Sequence, residues 1–356
     1  MNILTVTGIR PDFIRMSEVF RRLDQDKNIN HVLIHTGQHF DNLLSGIFFE
    51  QLDIREPDYN LAIGGVGREH FHQNAELTVK LIELIRNEQL NPDWIIFLGD
   101  SNSVLVAPSL AKEGYRIAHI EAGMRSRDRR MLEEINRVVC DHSSDLLFTY
   151  HKDYTENLCK EGIPIYKTVC VGNTIVEVAN KFKDEICQSP KRRDLILLDI
   201  HRPENFKDPE RLQNIFHISN KLSSKYGLPC LSLKFPRTYN AISQFKIDTG
   251  SIIENSLMSY RQYLDTVYHS KFIISDSGTA QEEPAIFRTP VLVPRNYTER
   301  SQSYHTFCSH RLDLETLSIS DEIISYIETA ESTMNPKWLG EGNTSTNIVD
   351  VLYKKG

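Results

Sequence analysis

Short apolar runs alternate along the whole chain with stretches whose apolar residues recur every three or four positions. The runs predict buried strands at residues 1–7, 31–35, 94–98, 117–120, 146–150, 166–171, 195–200, 229–233, 272–274 and 291–293. The stretches between them predict amphipathic helices, because a 3.6-residue period puts apolar side chains on one face. Strands that alternate with helices are typical of mostly parallel sheets, so we predict an α/β protein with two Rossmann-like halves.

The stretch 271–300 has the most informative local pattern. An apolar run at 272–274 precedes a polar turn at 276–278, and residues 280–287 then predict a helix. Such a turn presents backbone N–H groups and the positive end of a helix dipole to a phosphate. Two acids follow one turn on, Glu282 and Glu283. Because a carboxylate there could accept two ribose hydroxyls, the stretch indicates a sugar nucleotide diphosphate site; an ordinary βαβ turn is the alternative.

Charged residues also stand where other predicted strands end. In an open α/β sheet that edge is where ligands bind. Two arginines follow the first strand, Arg10 and Arg15. They indicate an anion site, since guanidinium groups grip phosphate in a bidentate manner, with a solvated pair as the alternative. Three further strands end in Asp100, Glu121 and His201. A helix cap is the alternative for the aspartate, and a buried core side chain is the alternative for the histidine.

Composition narrows the class of protein. The chain has 356 residues, of which 40% are hydrophobic and 25% charged, which favours two globular domains. A net charge of −7 argues against nucleic acid or an anionic membrane as the main partner. No apolar run is long enough for a membrane span, and a strand starting by Ile3 leaves no room for a signal peptide, so we expect a cytoplasmic protein. The six cysteines lack C-x-x-C spacing, which argues against a metal site.

Seven sequence blocks resemble, in order, the non-hydrolysing UDP-N-acetylglucosamine 2-epimerase family. The blocks are Gly8–Pro11, Thr36–His39, Gly99–Ser103, His119–Arg125, Glu133–Arg137, His201–Asn205, and Asp276–Gly278 with Gln281–Glu283. The resemblance implies a GT-B-like fold with two Rossmann-type domains, parallel sheets and an interdomain cleft. It places the domains at 1–170 and 171–346, with the C-terminal helix 347–356 packed back on the first; composition alone places the boundary at 188–194. It also implies a homodimer.

The resemblance implies inversion at C2 of a UDP-N-acetylamino sugar without a nicotinamide cofactor or a metal. No G-x-G-x-x-G follows the first strand, which also argues against nicotinamide and flavin. In the family, the C2 proton is lost while UDP leaves C1, which gives a 2-acetamidoglycal, and both then return. The implied catalytic residues are Asp100, Glu121, Glu133 and His201. The implied substrate-binding residues are Arg10, Arg15, Ser277, Gly278, Thr279, Glu283, Arg295, Glu299 and Arg300. The choice between Glu133 and Glu134 stays open.

Three positions depart from the family pattern. Arg15 stands where many members have lysine, and Phe235 stands where many have histidine. That histidine helps to form a regulatory UDP-GlcNAc site, so its loss puts activation by substrate in doubt even though Gln38 and Arg202 are present. The third departure is that the stretch 128–132 lacks the aromatic/proline sequence common in the simple UDP-GlcNAc enzymes. The patterns at Glu134–Arg137 and His142–Asp145 look closer to relatives that act on 6-deoxy or 2,3-diacetamido uronate sugars. In that case a uronate carboxylate would meet Arg127, Arg129 or Arg130.

Three other functions compete with the epimerase. A hydrolysing relative would release UDP and the free amino sugar. A GT-B glycosyltransferase would transfer the sugar to an acceptor without exchange at C2. A nucleotide-sugar sensor would bind the UDP-sugar without turnover. The three carboxylates predicted at element ends in the first half, Asp100, Glu121 and Glu133, argue against a glycosyltransferase.

Overall fold

A computed structural model describes residues 1–37, 46–64 and 69–356, with the backbone alone for 46–48. The chain divides into two compact units, the first formed by Met1–Val178 with Leu339–Gly356 and the second by Ala179–Trp338. The domain limits expected from the family resemblance stay a prediction. Gln38 and most of the glycine-rich run at 64–67, interpreted as a lid or a long connection, lie outside the described residues.

The first unit contains a parallel sheet of seven described strands. Its strands are β1 (Asn2–Thr7), β2 (Asn30–His35), β3 (Tyr59–Asn60), β4 (Trp94–Leu98), β5 (Ile117–Ile120), β6 (Leu146–Thr149) and β7 (Thr168–Cys170). Their order across the sheet is β3-β2-β1-β4-β5-β6-β7. Every residue of β4 and β5 is buried, as the unbroken apolar runs in their sequences predict for central parallel strands.

Helices flank this sheet. They are α1 (Arg10–Gln25), α2 (Gly46–Leu52), α3 (His70–Asn87), α4 (Ala107–Lys112), α5 (Leu132–Ser143), α6 (Lys152–Lys160), α7 (Thr174–Ile186) and, from the chain end, α15 (Thr344–Lys355). Helix α1 starts with a proline in its first turn, where the missing N–H is tolerated, and it buries the apolar face that carries Phe13 and Phe20. Helix α15 packs against α1, and the boundary between the two units falls inside α7.

The second unit contains a parallel sheet of six strands. They are β8 (Leu195–Asp199), β9 (Cys230–Leu233), β10 (Ile253–Asn255), β11 (Ser270–Ser275), β12 (Val291–Val293) and β13 (His310–Arg311). Their order is β10-β9-β8-β11-β12-β13. The helices are α8 (Pro203–Phe206), α9 (Pro209–Tyr226), α10 (Pro236–Phe245), α11 (Tyr260–His269), α12 (Glu283–Ile286), α13 (Ser301–His305) and α14 (Asp321–Thr333). The two parallel sheets confirm the predicted α/β fold class.

The single helix predicted over 280–287 is wrong. The chain there forms a 3₁₀ turn at Thr279–Gln281 and then a four-residue helix, Glu283–Ile286. The reason is Pro284, which has no N–H to donate and is tolerated only in a first helical turn. Because the helix is so short, a phosphate bound here would depend on local N–H groups and cations more than on a helix dipole.

None of the helices in the described ranges is long and apolar enough to cross a membrane.

The first unit packs tightly around its sheet. The turn after β5 shows how tightly, because Gly123 has φ +78° and a side chain there would meet the start of α6. A Cβ at this position would lie 2.3 Å from the Tyr154 carbonyl oxygen.

We expect Gly123→Ala to destabilise the protein by about 3 kcal/mol or more, because strain and overlap act together. Gly162→Ala is the matched control, since Gly162 has φ +88° but no heavy atom within 4 Å of the added Cβ. The control should lose only the roughly 1–2 kcal/mol of left-handed backbone strain. Urea unfolding of both variants measures the difference. Equal losses would show that α6 moves aside freely.

Candidate active site

The turns after β4 and β5 bring Asp100 and Glu121 to one guanidinium group. Arg137, on α5, donates from Nη2 to Glu121 Oε1 at 3.1 Å and also to the Asp100 carboxylate. Glu121 and Arg137 are fully buried, whereas the Asp100 side chain is about 16% exposed. Because burying a lone charge is very unfavourable, this shared arginine lets two acids lie side by side at the edge of the sheet. The Asp100 side chain therefore forms an ion pair with Arg137, and it is not the cap of the 3₁₀ turn that follows.

Arg15 holds the other side of Glu121. Its Nη1 donates to Glu121 Oε2 and its Nη2 donates to Asp12 Oδ1 at 2.8 Å. Burial opposes the charge, but the two carboxylates raise the pKa of Arg15 above its ordinary value. Gly99, in the turn after β4, leaves room for this arginine. A Cβ at that position would lie 3.0 Å from Arg15 Nη2. Each oxygen of Glu121 thus binds a different arginine.

The backbone of Glu121 is strained. Its φ is +70°, a left-handed value that is unfavourable by about 1 kcal/mol or more for a residue with a side chain. Such strain persists only where the surroundings fix the residue, and here both carboxylate oxygens are anchored. The left-handed backbone conformation at the end of β5 could not be predicted from the sequence.

Asp12 and Arg137 belong to this cluster but were not among the residues assigned from the sequence. Burial raises the pKa of Asp12 to about 6, although the Arg15 guanidinium opposes this shift. Two spacings could have identified them. Asp12 lies three residues before Arg15 on α1, and Arg137 lies four residues after Glu133 on α5, so each pair shares a helix face.

The buried side chain of His119 connects the turns after β4 and β5. His119, on β5, donates from Nδ1 to Asp141 Oδ1 at 2.7 Å and from Nε2 to the Gly99 carbonyl at 2.8 Å. Two donating nitrogens mean an imidazolium. Burial opposes that charge, but Cys140 and the Asp141 carboxylate raise the pKa of His119 to about 10. The second oxygen of Asp141 accepts the Gly123 N–H at 3.0 Å, so one aspartate ties the turn after β5 to the turn after β4.

The first turn of α5 gives its two glutamates different surroundings. Glu134 is buried, and its two oxygens accept the backbone N–H groups of Ser126 at 2.8 Å and Arg127 at 3.0 Å. It therefore fixes the loop that precedes α5. Glu133 is half-buried and lies on the adjacent position of the same turn. Arg10 is also half-buried and begins α1.

In the second unit, His201 follows β8. Its Nδ1 donates to Asp199 Oδ1 at 2.9 Å, and its backbone N–H donates to Asp276 Oδ1 at 3.0 Å. The other oxygen of Asp276 accepts the Arg202 N–H at 3.1 Å, so this buried aspartate clamps the turn. The imidazole is about 30% exposed, which makes it more than a core side chain. Although burial opposes it, the neighbouring carboxylates raise the pKa of His201, and the Phe235 ring lies 4.8 Å from the imidazole, centre to centre.

The turn after β11 places Ser277, Gly278 and Thr279 beside Arg300. The hydroxyls of Ser277 and Thr279 are hydrogen-bonded at 3.3 Å. A Cβ on Gly278 would lie 2.6 Å from Arg300 Nη1, so glycine is what lets the guanidinium approach this turn. The polar turn predicted to hold a phosphate therefore has an arginine against it.

A buried set of charges surrounds that arginine. Arg300 donates from Nε to Glu282 Oε1 at 2.6 Å and from Nη1 to Glu299. Arg295 lies 3.6 Å from the other oxygen of Glu299. Burial and the neighbouring Glu282 raise the pKa of Glu283 to about 8. Arg295, Glu299 and Arg300 thus form a buried set of charges with Glu282, and Arg300 brings this set against the turn.

Comparison with known proteins identifies the family. The model of a family described as UDP-N-acetylglucosamine 2-epimerase matches residues 21–353. The chain belongs to the UDP-N-acetylglucosamine 2-epimerase family. It is 33% identical to the UDP-N-acetylglucosamine 2-epimerase of Methanococcus maripaludis, over 98% of this chain and 97% of the relative. It is also 35% identical to the UDP-2,3-diacetamido-2,3-dideoxy-D-glucuronate 2-epimerase of Pseudomonas aeruginosa, over 84% of each chain.

A solved member of the epimerase family has the same fold. The crystal structure of the Methanocaldococcus jannaschii UDP-GlcNAc 2-epimerase in complex with UDP-GlcNAc and UDP matches with a TM-score of 0.88 and 30% identity. The match covers 99% of this chain and 100% of that chain. The predicted membership and the predicted GT-B-like class of this epimerase-family chain are therefore confirmed.

The His119 network should make stability depend on pH. Its folded pKa of about 10 lies above the ordinary 6.5, so its contribution is fully present below pH 6.5 and is lost as the pH rises through 10. We expect the difference in free energy of unfolding between the wild type and His119→Gln to be largest near about pH 6 and to shrink towards about pH 10. Urea titrations at several pH values measure this, with Asp141→Asn as a second variant. A difference independent of pH would contradict a charged His119.

Proposed function

We propose that this protein is a UDP-N-acetylamino sugar 2-epimerase. It would invert C2 by eliminating UDP to a 2-acetamidoglycal and adding UDP back. The observation that carries the proposal is the pair Asp100 and Glu121, placed at adjacent strand ends and joined through Arg137, in a chain of this family. The names of the relatives, which act on UDP-N-acetylglucosamine or on a diacetamido uronate, support the same substrate class.

The reaction needs proton carriers on both faces of C2, because the proton leaves one side and returns on the other. We assign these roles to Asp100, Glu121 and Glu133. Glu133 is preferred to Glu134, since both oxygens of Glu134 already bind backbone N–H groups of the preceding loop. Arg15 and Arg137 hold Glu121 in place, each at a different carboxylate oxygen.

The leaving group must also be stabilised, because a C2–H of this kind is barely acidic. We assign to Arg10, Arg15 and His201 the role of stabilising the negative charge that develops on UDP. A phosphate would bind the turn Ser277–Thr279, and Glu283 would accept the ribose hydroxyls. Arg295, Glu299 and Arg300 would line the same nucleotide site, and the Arg300 guanidinium already lies against Gly278.

A uronate sugar is a second candidate substrate. The loop before α5 carries three arginines, and two have recorded partners: Arg127 donates to Asn157 Oδ1 at 3.1 Å, and Arg130 donates to Asp128 Oδ1 at 2.9 Å. Arg129 is exposed, and it forms no ion pair with the described residues. A cation in that position suits a sugar carboxylate, as does the similarity to the diacetamido-glucuronate enzyme.

We also propose that the enzyme works in the cytoplasm as a homodimer, as the family resemblance implies. Light scattering coupled to gel filtration measures the mass in solution. A monomer at enzyme concentrations used in assays would contradict the dimer.

The primary test incubates the protein in deuterated water with UDP-N-acetylglucosamine or with UDP-2,3-diacetamido-2,3-dideoxy-glucuronate, followed by NMR. We expect the C2 epimer, with deuterium at C2 and UDP retained. Asp100→Asn and Glu121→Gln should each lower kcat by about 10²-fold or more, the usual loss for an acid–base group. The substrate with the higher kcat/KM decides the sugar.

Other outcomes of that test assign other functions. Free UDP with the free amino sugar would indicate a hydrolysing enzyme. Transfer to an added acceptor without C2 exchange would indicate a glycosyltransferase. Tight binding without exchange would indicate a sensor.

The two glutamates of α5 form a matched pair. We expect Glu133→Gln to reduce kcat by about 10²-fold with little change in melting temperature. We expect Glu134→Gln to destabilise the protein by about 1–2 kcal/mol, because it weakens the buried acceptor of two backbone N–H groups in the preceding loop. Steady-state kinetics and thermal unfolding of both variants make the comparison. The reverse pattern would assign the catalytic role to Glu134.

A further inference from the structure

Asp199 forms a buried relay between His201 and the turn after β11. It is the last residue of β8 and is 4% exposed. Its Oδ1 accepts the His201 Nδ1–H at 2.9 Å, and its Oδ2 accepts the Ser275 hydroxyl at 3.0 Å. The Ser275 oxygen in turn accepts the Ser277 N–H at 3.1 Å. A single carboxylate therefore reaches both the predicted catalytic histidine and the predicted phosphate turn.

We propose that Asp199 is a positioning residue that sets the tautomer and the charge of His201 and couples it to the Ser277 turn. The inference rests on the proposed function, in which both of these groups face the diphosphate. Because a carboxylate can only accept, the His201 nitrogen that faces it must be Nδ1–H. Nε2 is then the nitrogen left to bind a ligand, and it donates when the ring is charged.

The other groups around His201 divide the work. Asp276, from the turn after β11, lies 3.6 Å from His201 Nδ1, but its oxygens accept the backbone N–H groups of His201 and Arg202. It therefore fixes the backbone, whereas Asp199 makes the shorter contact with the ring. Arg202 is the cation that opposes a charged imidazole. The apolar Phe235 ring lies against the His201 imidazole. Two carboxylates against one guanidinium favour the imidazolium.

A purely structural role does not account for a second acid here. Asparagine or threonine could accept a hydrogen bond from the imidazole without placing another buried negative charge near Asp276. A carboxylate differs from them in stabilising positive charge on the ring. That charge is what a departing diphosphate requires of His201.

The test follows the His201 imidazole directly by ¹H–¹⁵N NMR in the full-length protein, with the signal assigned by His201→Gln. In the wild type we expect the Nδ1–H form and a titration above the ordinary pKa. In Asp199→Asn we expect the His201 pKa to fall by about one unit or more, because the carboxylate that stabilises the charged ring is gone. One unit corresponds to a tenfold change in the protonation equilibrium. The basic limb of kcat/KM and of UDP affinity should move to lower pH by the same amount. Asp194→Asn, at a half-exposed aspartate paired with Arg192, is the control and should leave both unchanged.

A folded Asp199→Asn with an unmoved His201 titration and an unmoved pH profile would overturn the proposal. If that variant does not fold, Asp199→Thr replaces it, with the same expected shift. UDP binding by calorimetry across the pH range needs no turnover. A wild type that binds UDP but does not epimerise would therefore refute the proposed function while the NMR titration still decides the role of Asp199.

Discussion

The first unit depends on the neutralisation of buried carboxylates at the ends of its strands. Glu121 is fully buried in a strained backbone conformation, and its two oxygens bind two different arginines. Breaking a buried pair leaves an uncompensated charge, which is strongly destabilising. The positions of Arg15, Arg137 and Asp100 are therefore linked to one another through this glutamate. The arrangement fixes the acids with respect to each other before any substrate arrives, which is what acid–base catalysis requires.

The second unit applies the same physical solution to a different set of residues. Asp141 in the first unit and Asp276 in the second are both fully buried, and each binds the backbone of a turn that follows a strand: Asp141 accepts one N–H group and Asp276 accepts two. In both units a histidine is bound by an aspartate next to such a turn. His119 is completely enclosed and serves the fold, whereas His201 is partly exposed and has a nitrogen left for a ligand. Exposure, rather than residue type, separates the enclosed histidine from the one that is predicted to be catalytic.

The structure shows what Arg15 and Phe235, two of the departures from the family pattern, contact. Arg15 contacts Asp12 and Glu121 through separate nitrogens, a geometry that a lysine with its single ammonium group would satisfy differently. Phe235 packs against His201, so the position where many members have histidine is occupied by an apolar neighbour of the catalytic candidate. These two residues alter the surroundings of predicted catalytic groups rather than the groups themselves.

The sequence alone determined the α/β class, most strands and the family, because central parallel strands are unbroken apolar runs and the motifs follow them directly. It also placed Asp100, Glu121 and His201 at strand ends. Tertiary structure decided what those residues contact. Arg137 meets Asp100 across 37 residues of sequence, and Asp276 meets His201 across 75, and no local periodicity records such pairs. It also gave Glu133 and Glu134 different surroundings, since adjacent glutamates look alike in sequence and only the fold shows that the loop N–H groups reach Glu134.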